Sequence, residues 1–135
     1  MDRLFLDANV LFSASYREDA GVAVLWAIET VALITSPYAI EEARRNLVAR
    51  EQKERLARLL QPLHVVQAAN APEAIRRGVE LPEKDWRILG GAIAAEATHL
   101  ITGDLKHFGR YFGKQIHGIL ALPPADYIRD IERPF

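Results

Sequence analysis

Short unbroken apolar runs alternate with segments of helical periodicity along this chain, and that alternation leaves few folds open to it. Leu4-Phe5-Leu6, Val31 to Thr35, Leu63 to Val66, His99 to Thr102 and Ile116 to Leu122 all read as strands, each short and bounded by polar residues or turn signals. Runs that do not alternate with polar residues are buried on both faces, as parallel strands are. Parallel strands joined through helices require right-handed crossovers. The expected fold class is therefore α/β, a central parallel sheet of four to five strands with helices on both faces. At 135 residues the chain is expected to form one domain, 1–135, large enough to bury a real core.

Helix signals fill the intervals. Ala8 to about Ser15 and Val22 to Thr30 have helical character, the second with Val22, Leu25, Trp26 and Glu29 on neighbouring faces. Ser36 followed by Pro37 is an N-cap with proline at the first helical position. The helix it opens carries Ile40, Ala43 and Leu47 on one face and extends, straight or bent, through Arg50 to Leu60 before Pro62. Asn70-Ala71-Pro72-Glu73 repeats the start for a brief helix stopped by Gly78. Leu81 to Asp85 opens the best-marked helix, with Ile88, Leu89, Ala92, Ile93 and Ala97 as its buried stripe. A short helix is expected over Phe108 to Phe112, and Pro123-Pro124 starts a terminal one.

Composition removes several classes of function. There is no cysteine, which excludes disulfides, thiolate metal sites and a cysteine nucleophile. Seventeen basic residues against 18 acidic ones leave no global attraction for nucleic acid, so any such binding has to be local. Asp7 interrupts the first apolar stretch after three residues, too early for a secretory leader. No window approaches the roughly 20 apolar residues that span a bilayer. A cytoplasmic protein without membrane contact is expected.

The chemistry lies in the acids. Asp7 and Asp104 directly follow strands, and the carboxyl ends of parallel strands are where open α/β sheets bind ligands. Glu42, beside Glu41, falls in the first turns of the helix after the second strand, and Asp85 in the first turn of the helix before the fourth. Singly, each has an ordinary explanation. Asp7 and Asp104 could cap the helices that follow them, Asp85 could answer a helix dipole, and Glu41 or Glu42 could pair with Arg45. Together, carboxylates at one sheet edge repel one another unless cations neutralise them. Oxygen-only ligands suit Mg²⁺ or Mn²⁺, and such ions serve in-line phosphoryl displacement. A phosphodiester hydrolase is the candidate activity.

The same residues resemble the PIN domain nucleases. Leu6-Asp7-Ala8-Asn9-Val10-Leu11 looks like that family's opening motif, whose Asp binds metal. Ser36-Pro37 with Ile40-Glu41-Glu42-Ala43-Arg44 resembles the second motif, and the resemblance selects Glu42 over Glu41 as ligand. Asp85-Trp86-Arg87-Ile88-Leu89 resembles the third. Leu100-Ile101-Thr102-Gly103-Asp104 resembles the fourth, with Thr102 helping to hold the site. The ordered set spans essentially the whole chain. It implies a three-layer α/β/α sandwich and Mg²⁺- or Mn²⁺-dependent RNA cleavage by Asp7, Glu42, Asp85 and Asp104 as catalytic and metal residues. Small stand-alone members are commonly VapC-type toxins with a cognate antitoxin, and homodimers are usual among them. One departure is visible: Lys106-His107 stand where many members carry a further acid, which leaves the number of ions at one or two.

Around that core, Asn9 is a supporting residue that could hydrogen-bond an acid or make a local turn bond. Lys106, His107 and Arg110 are the expected RNA contacts, read as exposed and beside the site. Tyr16, Tyr111 and Phe112 could stack bases. The basic run Arg44, Arg45, Arg50, Lys53, Arg55 and Arg58 is interleaved with Glu51 and Glu54 and reads as a solvated face. The four histidines show no ligand spacing, and His64, His99 and His117 read as structural residues within strands. Trp26 and Trp86 read as packing residues. A haloacid-dehalogenase-type phosphatase needs Asp-x-Asp, and Asn9 stands at the third position. A non-catalytic module of the same fold is the remaining alternative.

Overall fold

The computed structural model describes residues 1–67 and 76–132. The expected helix at Asn70 to Glu73 lies outside them. The first strand, β1 (Asp2–Leu6), runs straight into α1 (Ala8–Tyr16). Asp7 is the cap between them, accepting the Ala8 N–H at 2.6 Å. A 3-10 helix over Gly21–Ala27 leads to β2 (Val31–Thr35). The Ser36 hydroxyl accepts the Ala39 N–H and starts α2 (Pro37–Asn46), as its cap-proline pair predicts. Then follow α3 (Arg50–Leu60), β3 (His64–Val65), α4 (Glu83–Ala94), β4 (His99–Ile101) and α5 (Leu105–Phe108). A second 3-10 turn (Gly109–Tyr111), β5 (Gln115–Ile116), β6 (Ile119–Leu122) and α6 (Pro124–Glu132) complete the order.

Among the described residues the sheet has six strands in the order β3-β2-β1-β4-β6-β5, with only the β5–β6 pair antiparallel. From β1 the chain steps outward through β2 to β3, and from β4 it steps the opposite way to β6. Right-handed crossovers therefore place α1, α2 and α3 on one face and α4 and α5 on the other. Helix α1 packs against both α2 and α3. The core centres on β1 and its neighbours: Leu4, Phe5, Leu6, Ile34, Leu100 and Ile101 are fully buried. No helix among the described residues is long and apolar enough to cross a membrane.

Three expectations need correction. Ile116 to Leu122 is a hairpin, not one strand, so the sheet is larger than four to five strands and mixed at its edge. His117 and Gly118 have φ of 50° and 81°, the two positive values of a type I′ turn, which folds the apolar run back on itself. His117 is thus a turn residue. We expect Gly118→Val to cost about 1–2 kcal/mol, because only glycine adopts that φ without strain; urea denaturation measures it. Val22 to Thr30 is a 3-10 helix over its first part, and Val22, Leu25 and Ile28, spaced three residues apart as that helix requires, pack on the core together with Trp26. The expected long second helix is two. Buried Leu47 pulls the chain inward, and Gln52 Oε1 accepts the freed N–H groups of Val48 and Ala49.

The other differences are small. Helix α4 stops at Ala94, with Glu96 at a φ of 53°, so Ala97 is buried beyond the helix and not in its stripe. The helix expected over Phe108 to Phe112 begins earlier, at Leu105, where Asp104 caps it. His64 lies in β3 as expected but is exposed.

Candidate metal centre

Strands β1 and β4 are neighbours from which the chain departs in opposite directions, and the crevice at such a switch point is where ligands enter α/β sheets. Leu6 pairs with Ile101, so the next residues of each strand, Asp7 and Thr102, emerge side by side. One pocket of about 530 Å³ opens there, and Asp7, Glu42, Asp85 and Asp104 all line it. The N-terminus of α4 lies at this edge and carries Asp85 to the others. Glu41 is on the outer surface, paired with Arg44 at 3.1 Å.

Asp7 is buried and fixed from three sides. Its Oδ1 accepts the Ala8 N–H; its Oδ2 accepts the Thr102 hydroxyl at 2.8 Å and the Asn9 amide at 3.1 Å. Thr102 Oγ1 also accepts the Asp104 N–H at 3.1 Å, which ties the ends of β1 and β4 into one unit. Asn9 closes the network: its Oδ1 accepts the Gly103 N–H at 2.8 Å. A side chain on Gly103 would put Cβ 3.4 Å from that oxygen. Capping and site membership are not alternatives here. Asp7 caps α1 and Asp104 caps α5, while both face the pocket. The N-terminal ends of α1, α4 and α5 supply partial positive charge to the cluster.

Burial pushes the Asp7 carboxyl up to about 6 from 3.8, against the pull of its hydrogen bonds and with the charges of Asp85 and Asp104 adding. Burial likewise raises Asp85; His107 opposes that shift and Asp104 adds to it. The folded chain therefore holds the Asp7 proton more tightly than the unfolded chain does. This contribution to stability is fully present below about pH 4 and is lost as pH rises through about 6. Without divalent ions, we expect stability to fall by up to about 3 kcal/mol from this residue between pH 4 and pH 7. Urea denaturation across that range, with Asp7→Asn as control, tests it. A flat difference between the two proteins would remove the assigned shift.

His107 is half-buried, not exposed as the sequence suggested, and it belongs to the acid cluster. Its Nδ1 lies 2.8 Å from Asp104 Oδ2 and 3.1 Å from Asp85 Oδ2. The absence of ligand spacing along the sequence is thus overruled in space: Asp85, Asp104 and His107 bring ligand atoms within 4.8 Å of one another. Asp85 Oδ2 is buried and has no hydrogen-bond partner. A buried carboxylate oxygen that accepts no hydrogen bond, among three further acids, is the local chemistry a hard cation satisfies, and the donor set fits a divalent ion.

Glu42 is the most open of the four acids and approaches Arg45 at 3.8 Å. Tyr38, one turn earlier, lines the pocket beside Glu42. Burial, then the Glu42 charge, raises its phenol, and Arg87 stacks over the ring at 5.2 Å. Tyr38, Phe12, Asn46 and Lys84 are lining residues that sequence reasoning did not single out. Tyr38 was within reach of it, standing four residues before Glu42 on the same helix face.

Lys106, His107 and Arg110 line a second depression next to the first, with His107 between the two clusters. Arg110 pairs there with Glu80 at 3.1 Å. The candidate stacking residues are scattered. Tyr16 is exposed against Phe12, Tyr111 accepts the Glu80 N–H, and Phe112 packs on the core. The basic run is largely engaged on the surface: Arg44, Arg45 and Arg50 pair with glutamates, and Arg55 donates to the Ser15 carbonyl. Trp26 donates to the Leu59 carbonyl and Trp86 is buried, both packing residues.

No family model matches this sequence, and no curated protein matches it. Solved structures do match its fold. VapBC2 from Rickettsia felis, in a crystal structure bound to a DNA fragment from their promoter, is 16% identical with a TM-score of 0.63. The match covers 90% of this chain and 98% of that one. VapBC-1 from nontypeable Haemophilus influenzae is 18% identical with a TM-score of 0.58, covering 91% of this chain and 98% of that one. At these identities the likeness speaks for the fold, a PIN-like α/β/α sandwich.

Proposed function

We propose that this chain is a metal-dependent endoribonuclease acting as the toxin of a toxin–antitoxin pair, with Mg²⁺ or Mn²⁺, one or two ions, held by Asp7, Glu42, Asp85 and Asp104. The observation that carries the reading is the convergence of four carboxylates on one pocket, where the buried Asp85 Oδ2 accepts no hydrogen bond and has His107 Nδ1 at 3.1 Å as its polar neighbour. Those carboxylates would hold the ion, and the chemistry it would supply is activation of water and stabilisation of charge on a phosphodiester. The protein groups supply the rest. Asn9 and Thr102 hold Asp7 in one rotamer, so that its carboxylate needs no reordering when a ligand arrives. Lys106, His107 and Arg110, in the adjoining depression, would take backbone phosphates of RNA and set its register. No side-chain nucleophile is required.

The toxin part, with an antitoxin partner and a homodimeric state, draws on the shared fold with the VapBC chains. Two experiments test the proposal. Purified protein mixed with structured and unstructured RNA is expected to cleave with Mg²⁺ or Mn²⁺ and to stop with a chelator, and the ion is expected to raise the melting temperature. Ions that change neither property would sink the nuclease reading, while ion binding without cleavage would favour the non-catalytic module. Expression of the wild-type chain alone is expected to suppress colony formation, and expression of Asp85→Asn is not. Equal colony numbers would remove the toxin role.

A further inference from the structure

We infer that His107 is itself a ligand of the cation position between Asp85 and Asp104, so that this pocket binds its ion through one nitrogen as well as carboxylate oxygens. The inference rests on the reading of the pocket as a divalent-cation site and narrows it. Neighbouring ligand atoms around an octahedral ion at about 2.1 Å stand about 3 Å apart. Nδ1 of His107 lies 2.8 Å from Asp104 Oδ2 and 3.1 Å from Asp85 Oδ2, close to that spacing on both sides.

Hydrogen bonding alone does not account for the arrangement. An imidazole Nδ1 carries at most one proton. Given to Asp104, the nearer oxygen, it leaves Asp85 Oδ2 buried with no hydrogen bond, on a side chain only 6% exposed. A cation at the junction of the three atoms would satisfy all of them at once, with the ring proton on Nε2. The backbone already fixes the imidazole for this. The His107 N–H donates to Asp104 Oδ1 at 3.1 Å, so the carboxylate that would share the ion also anchors the turn that presents the ring. His107 thus stands in α5, at the place where the sequence lacks a further acid.

A nitrogen in the ligand set favours ions that accept imidazole. Mg²⁺, which prefers oxygen throughout, should lose ground to Mn²⁺. The test uses the intact chain, His107→Ala and His107→Asp at one neutral pH. Calorimetric titration with Mn²⁺ and with Mg²⁺ is paired with pulsed electron paramagnetic resonance on the Mn²⁺-loaded proteins. Wild type is expected to show nitrogen coupling to Mn²⁺ and both variants to lack it. His107 is the one histidine of the cluster among the described residues. His107→Ala should weaken Mn²⁺ binding on the order of tenfold or more. His107→Asp should regain binding with the Mn²⁺-to-Mg²⁺ preference shifted towards Mg²⁺.

Tighter Mn²⁺ binding to His107→Ala would overturn the inference, since His107 would then be an internal cation competing for the two carboxylates. Mn²⁺ bound to wild type without nitrogen coupling would overturn it too, leaving the nuclease reading intact. Failure of wild type to bind either ion overturns both. If His107→Ala does not fold, the wild-type spectrum and His107→Asp still decide.

Discussion

Asp7→Asn is expected to abolish RNA cleavage while leaving the ion-free protein as stable as the wild type, or more so. The two effects have one cause. Burial holds the Asp7 carboxyl near 6 and not 3.8, so keeping it ionised at neutral pH costs the fold about 3 kcal/mol. A neutral amide removes that cost. It also presents a donor on one side, where the wild type accepts either from Ala8 or from Thr102 and Asn9, and mispairing there returns about 1 kcal/mol. The net gain of about 2 kcal/mol should raise the melting temperature by about 6 °C without divalent ions. The rise in melting temperature expected of wild type on adding Mg²⁺ or Mn²⁺ should shrink or vanish in this variant. A variant that melts well below wild type would identify Asp7 as a structural cap alone.

Thr102→Val should be among the most destabilising conservative changes in the chain, at about 3 kcal/mol. The side chain is fully buried and nearly isosteric with valine, so packing changes little. What is lost is the hydroxyl, which donates to Asp7 Oδ2 and accepts from the Asp104 N–H and the Asn9 amide. The Asp104 donor loses its partner, and unpaired buried groups cost about 1–3 kcal/mol each. Because the Thr102 hydrogen bond lowers the Asp7 carboxyl, its removal should also push Asp7 above 6 and weaken divalent-ion binding at neutral pH. Denaturation midpoints and calorimetric ion titration read the two effects separately. Thr102→Ser, which keeps the hydroxyl, should recover the binding.

Much of the candidate site was legible because strand ends are legible. Asp7 and Asp104 directly follow apolar runs that read as buried strands, and the structure puts both at the carboxyl edge of adjacent strands. Ser36-Pro37 marked the start of α2, from which the position of Glu42 follows. Asp85 was visible as a first-turn acid, but its arrival at the same edge depends on where α4 crosses the sheet, which is a tertiary fact. His107 was misjudged for a related reason. Its three-residue offset from Asp104 is local, but its other partner, Asp85, lies 22 residues earlier on another element. The hairpin at His117-Gly118 was hidden inside seven residues whose hydrophobicity reads as one strand. Two positive φ values outweighed that continuity.

The hydrogen bond between Thr102 and Asp7 joins residues 95 apart in the chain. A site built on such a contact cannot assemble from a local fragment. Closing so long a loop before any reward is slow, and it places formation of the pocket with the pairing of β1 and β4. During synthesis, Asp7 and Glu42 leave the ribosome well before Asp85 and Asp104, and until those arrive the acids have no shared pocket. The order of the chain is thus a timing device: whatever chemistry the pocket performs is withheld until β4 has docked beside β1.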